Sequence, residues 1–304
     1  MSQRRYALDF LDRLDQRIIY LFVALAVGIP LISGYSLPPT RMSTAQAFFD
    51  QIEKLSSTKD KLVLISADWG PGGVAENRPQ TEVAVEHLLR RRIPFAMIST
   101  YALATPFLES VPREVIARIE LEEPQQKWTY GVDWVNLGYR PNGFLMIQGL
   151  AKSQDLHKVL EVDANGLQMG DIPLMAKVRT IRDVGLFIQI TGLVGVLNSW
   201  IQYFQTQDYR PPFVHGCTSI TIPEAYNFFA SSQIVGLFEG VAGAASYELL
   251  LNSAFPNRKP GEAVRNNTSI AVAQMLIIAL IILGNVGSMT RWLTDRLRPS
   301  EPLS

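Results

Sequence analysis

The sequence predicts an α/β fold, a Rossmann-like, doubly wound and mostly parallel sheet, flanked by two transmembrane helices. Two observations predict the sheet. Short β-branched and leucine-rich runs end in glycine or proline, and amphipathic helical patterns alternate with them over roughly 200 residues. A third observation predicts the membrane segments. Hydrophobic residues make up 47% and charged residues 18% of the 304-residue chain, against roughly 25% charged in ordinary soluble domains.

Residues 1–16 read as a short cytoplasmic amphipathic segment, with Phe10, Leu11, Leu14 and Ile18 at helical spacing among Arg4, Arg5, Arg13, Asp9, Asp12 and Asp15. The next segment, 17–35, carries no charge from Ile18 to Gly34, and at about 1.5 Å per residue it just spans a hydrocarbon core. A cleaved signal peptide would end in small residues at its cleavage site. The residues before Tyr35 give no such site, so a retained anchor is expected. Residues 269–289 fit a bilayer better, with an aliphatic centre followed by Arg291, Arg296 and Arg298. Arg4, Arg5, Arg13 and Arg17 flank the first span. The positive-inside rule then puts both ends, including the tail 290–304, in the cytoplasm and residues 36–268 outside. Arg258, Lys259 and Arg265 weigh against this orientation. Two further apolar runs, 185–204 and 231–251, contain several amides or Glu239, which are costly at mid-bilayer. Both are assigned to the domain.

The outer region opens with a linker and helix, 36–60. The helix runs over about 43–55, capped by Ser43 or Thr44, with Phe48, Phe49, Ile52 and Leu55 on one face. The α/β domain is expected over 61–255, with a linker at 256–268. Its strands fall at 61–66, 94–100, within 126–141, and at 185–190, 213–218 and 233–237. Helices are expected at 80–91, 107–121 with a break near Pro112, 144–160, a short one at 174–181, one ending at 204, 223–229 and 240–251.

The first strand runs into Asp68-Trp-Gly-Pro-Gly-Gly73. Open α/β sheets bind ligands beyond the carboxyl ends of their strands, so Asp68, Trp69 and Gly72 are candidate binding residues. Such a loop can also cradle an anion with backbone N–H groups ahead of a helix; alternatively it is a turn with Asp68 capping local amides. It matches no dinucleotide or P-loop pattern. A second Asp-Trp pair, Asp133-Trp134, precedes Asn136 and is read as a second strand end. Carboxylates with apolar walls suit a polyol, a cationic solute or a divalent ion; the alternative is tryptophans anchoring loops on the core. Glu239, at the end of the last strand, is expected to join Asp68 and Asp133 on one edge. The small residues Gly240, Ala242, Gly243, Ala244 and Ala245 allow close helix packing within the chain or against another subunit.

His215 and Cys217 share a strand face at i and i+2, which permits an imidazole–thiolate pair, but the signatures of cysteine hydrolases are absent. The three histidines, His87, His157 and His215, lack zinc-ligand spacing, and no motif assigns a cofactor. With 28 basic and 28 acidic residues, no global field favours nucleic acid. The expected role is a membrane-anchored extracytoplasmic module in the assembly of a membrane protein complex. Its partners would be the lipid bilayer and further subunits, as a homo- or hetero-oligomer, with a small solute or ion at the Asp68/Asp133/Glu239 edge. The alternative is a membrane-tethered, metal-dependent hydrolase using those carboxylates.

Overall fold

The computed structural model describes residues 15–56 and 61–296. The amphipathic segment 1–16 lies almost wholly outside them, as does the end of the tail. The chain divides into two units. One is Pro38–Val264; the other combines the residues up to Leu37 with those from Arg265.

In the larger unit six strands form one sheet, all parallel: β1 (Leu62–Asp68), β2 (Phe95–Ser99), β3 (Trp134–Tyr139), β4 (Val184–Thr191), β5 (Phe213–Cys217) and β6 (Gly236–Glu239), in the order β3-β2-β1-β4-β5-β6. Strand order reverses between β1 and β4, the topological switch point of a doubly wound sheet. Both faces are covered, which is why β1 and β4 read as continuous buried runs.

Numbered along the whole chain, the helices are α1 (Gln16–Ser33), α2 (Ser43–Ser56), α3 (Val74–Arg91), α4 (Thr105–Glu122), α5 (Gly143–Lys152), α6 (Leu156–Leu160), α7 (Val196–Tyr203), α8 (Ile222–Ala230), α9 (Gly240–Ala254) and α10 (Glu262–Arg296). One sheet face packs on α2, α3, α4 and α9 through Phe48, Ile52, Leu88, Val111 and Tyr247. The other packs on α5 to α8 through Ile147, Leu160, Trp200 and Ala225.

Several boundaries differ from expectation, each for a local reason. Helix α3 starts at Val74 rather than at Gln80. Pro79 sits inside it, buried, and the short 3-10 turn Pro71–Gly73 leads straight in. Likewise α4 passes through the buried Pro112 without a break. The expected helix 144–160 is two helices, because Asp155 caps a new start by accepting from the His157 N–H. Residues 174–181 form turns rather than a helix, and the last strand extends to Glu239. The expected linker at 256–268 turns helical at Glu262.

A buried ion cluster ties the end of this unit down. Arg258 donates to both carboxylate oxygens of Glu86 at 2.7 and 2.9 Å and to Glu248 Oε1 at 3.1 Å. Glu248 also accepts from the N–H groups of Gly261 and Val264, so a carboxylate from α9 holds the start of α10. Burial alone would raise the Glu86 carboxyl, but hydrogen bonds and charge from Arg258, with Arg118 and Arg90, outweigh it and hold the pKa below the usual value.

In the smaller unit two helices are long and apolar enough to cross a membrane, Gln16–Ser33 and Glu262–Met289, and only 6% of each apolar window is buried within the chain. The exit of the first meets the second where the Leu37 N–H donates to Thr268 Oγ1 at 3.0 Å.

Candidate functional site

Asp68 ends β1 and is fully buried. Its Oδ1 accepts from Ser99 Oγ (3.0 Å), the Thr100 N–H (2.6 Å) and Thr100 Oγ1 (2.8 Å); its Oδ2 accepts from Ser66 Oγ (2.6 Å) and Trp200 Nε1 (3.3 Å). Five donors occupy the carboxylate, so Asp68 joins β1, the end of β2 and α7 and presents no free oxygen to a ligand. Trp69 is buried beside it. Its indole donates to Thr81 Oγ1 at 3.1 Å and its ring lies 4.5 Å from Phe107. It anchors the loop on α3 and α4.

The three expected carboxylates do not converge. Asp133 precedes β3 and Trp134 pairs with Phe95 at the start of β2, so this second Asp-Trp pair lies at the amino edge, opposite Asp68. The turn 129–133 consumes the residues that the sequence reading gave to the strand, and Asp133 Oδ2 closes it by accepting from the Thr129 N–H at 2.7 Å. Trp134 is buried edge-on to Tyr130. Asn136 lies inside β3, where Nδ2 donates to Glu109 and Oδ1 accepts from the Gly138 N–H.

Glu239 does share the carboxyl edge with Asp68. The register places Asp68, Thr191, Cys217 and Glu239 in one row, but three strand spacings put β6 roughly 14 Å from β1. Glu239 accepts from Thr44 Oγ1 at 3.0 Å and from the Tyr226 hydroxyl. Among the described residues no three His, Cys, Asp or Glu side chains form a group that would hold a metal ion.

Beneath that row, β4 and β5 set Gln189 beside His215. Both are buried, and Gln189 Oε1 and Nε2 and His215 Nδ1 have no hydrogen-bond partner. Burial lowers the His215 pKa to about 3, and burial also pushes the Cys217 thiol up to about 12. Cys217 Sγ donates to the Phe238 carbonyl at 3.3 Å. The two residues share a strand face as expected, yet imidazole and thiol are both held neutral and no thiolate nucleophile forms. Of the small residues of α9, Gly240, Gly243, Ala244 and Ala245 are buried within the chain and Ala242 is exposed; a Cβ on Gly243 would lie 2.7 Å from the Phe238 Cα.

The opening at the carboxyl edge is a crevice of about 370 Å³ above β1, β4 and β5. Trp69 and the loop 70–73 form one wall, Gly192 and Leu193 after β4 the other, with Thr218 and Ile220 after β5 and Tyr101 and Leu103 after β2 closing it. Of the residues expected to bind, Trp69 and Gly72 line it; Gly72 is exposed there. Sequence reasoning missed Asn77. This residue is on the first turns of α3, fully buried, and its Oδ1 has no partner. With the start of α3 expected at Gln80, Asn77 read as loop.

No protein-family model, no curated protein and no solved structure matches this chain. The geometry alone therefore carries the functional reading.

Proposed function

We propose that the protein is a membrane-anchored module whose α/β domain lies outside the cytoplasm, that it works in the assembly of a membrane protein complex, and that it carries a small-solute site at the carboxyl edge of its sheet. The observation that carries this reading is the exposure of both apolar helices. A core helix of a soluble domain buries its apolar residues, whereas these windows leave Ile18, Phe22, Ile29, Ile277, Ile281 and Met289 outside. Exposed aliphatic surface of this length requires lipid or other helices to cover it.

Features within the spans favour helix partners in addition to lipid. Gly28 and Gly284 each face open space, and small residues let backbones approach closely in a bilayer. Asn285 is exposed on the same helix as Gly284, its Nδ2 held by the Ile281 carbonyl at 2.9 Å. The orientation follows from Arg4, Arg5, Arg13 and Arg17 before the first span and Arg291, Arg296 and Arg298 after the second.

Native mass spectrometry of the full-length protein released from mild detergent tests the assembly. A defined homo- or hetero-oligomer is expected; a monomer across the accessible concentration range would refute it.

A further inference from the structure

We infer that the crevice at the β1/β4 switch point binds a non-anionic small solute through a hydrogen bond donated to Asn77 Oδ1. The inference rests on the solute-site part of the proposed function and is independent of the assembly part. Three features of the crevice carry it.

The first is the orphaned acceptor. Gln80 Nε2 is committed to the carbonyls of Cys217 (2.8 Å) and Gly240 (2.9 Å), which leaves Gln80 Oε1 as the acceptor facing Asn77 Nδ2 at 3.4 Å. That fixes the amide orientation and points Oδ1 the other way. It lies 2.7 Å from the place a Cβ would take on Gly73 and 3.1 Å from that on Gly192. Glycine at both positions is what keeps side-chain atoms away from the buried acceptor between the two strand-end loops. A buried carbonyl oxygen without a donor is destabilising, and a ligand hydroxyl or amine relieves that penalty.

The second is charge. A glycine loop leading into a helix N-terminus ordinarily favours a phosphate. Here the lining holds the Glu76 carboxylate and no Lys, Arg or His. Glu76 is fixed in the first turn of α3, where its Oε2 accepts from the Ser219 N–H (2.8 Å) and Oγ (2.6 Å). Its charge offsets the positive end of the helix, and the inward acceptor repels an anion further. The third is the rim, where Leu103 and Ile220 are exposed and Leu193 is half-buried. They offer an apolar wall to the ligand body. The solute class is therefore an uncharged or cationic molecule with a hydroxyl or amine donor and a compact apolar or aromatic body.

Thermal unfolding of the full-length protein in detergent tests this with two matched probe pairs at millimolar concentration, adenosine against AMP and tyramine against 4-hydroxyphenylacetate. Each pair shares a body and differs in charge. Adenosine or tyramine is expected to raise Tm by about 2–4 °C, as for a ligand at several times its dissociation constant, with no rise for the anionic member. Gly72 lines the crevice and a Cβ there meets nothing within 4 Å, so Gly72→Leu adds bulk to the lining without a clash and should abolish the response. A larger rise with AMP or 4-hydroxyphenylacetate would overturn the ligand class. No rise with any of the four, or a rise that survives Gly72→Leu, would overturn the site. The subunit count read by native mass spectrometry is unaffected by any of these results.

Discussion

At the scale of single residues, buried polar groups separate into those that are satisfied and those that are not. Asp68 is satisfied five times over. Asp68→Ala leaves those donors buried without an acceptor and should cost about 3 kcal/mol or more of stability, measured by denaturant unfolding. A change below about 0.5 kcal/mol would show that the carboxylate is not a structural hub. His215 is the opposite case. Its Nδ1 has no partner, and its pKa falls from 6.5 to about 3 on folding. The unfolded chain therefore binds a proton that the folded chain refuses. The stability this group contributes is complete above pH 6.5 and declines as the pH falls toward 3, by up to about 1.4 kcal/mol per unit. His87 acts in the same direction, because burial lowers its pKa against the opposing pull of Glu53. His215→Leu should keep its stability at neutral pH and show a shallower loss from about pH 7 to about pH 5. An unchanged slope would contradict the buried neutral imidazole. Neither environment was legible in the sequence. Asp68 was singled out correctly as a strand-end carboxylate, but four of its five donors come from the end of β2 and from α7, more than 30 residues away in the chain.

At the scale of elements, the sequence showed the strands well because both faces of the sheet are buried and the apolar runs are unbroken. Helix starts were less legible. Pro79 and Pro112 look like breakers, yet each is buried on the packed face of its helix, where tertiary packing outweighs one missing hydrogen bond. The misplaced start of α3 hid Asn77 and lengthened the apparent loop. Position along the chain also did not reveal which end of β3 carries Asp133, since a strand reads alike in both directions. The ion cluster joining α3, α9 and the start of α10 was equally invisible, as Glu86, Glu248 and Arg258 look like solvated charges. Arg258→Met should destabilise by about 3–5 kcal/mol, because the buried Glu248 loses its cation and the buried Glu86 loses one of its three, keeping Arg90 and Arg118. Adding Glu86→Gln and Glu248→Gln to it should restore a large part. The Glu86 pKa lies below its usual 4.5, so its contribution is present above that pH and is lost on further acidification. Equal stability of the single and triple variants would show that charge pairing is not what holds this joint.

At the scale of the whole molecule, the two long apolar helices and the α/β fold were both readable from composition and periodicity, because each depends on local pattern. That the three carboxylates do not converge was not, because it depends on strand order and direction together. The orientation proposed across the membrane rests on charge asymmetry, and the single cysteine makes it directly measurable. Cys217 is fully buried and its thiol is pushed up to about 12, so the native chain should resist maleimide labelling. Gln125 lies exposed after α4. In intact cells, Gln125→Cys should react with a membrane-impermeant maleimide, while Ser304→Cys should react only after the membrane is opened. Labelling of Ser304→Cys in intact cells, with Gln125→Cys protected until permeabilisation, would place the α/β domain in the cytoplasm and contradict the anchored, outward-facing module.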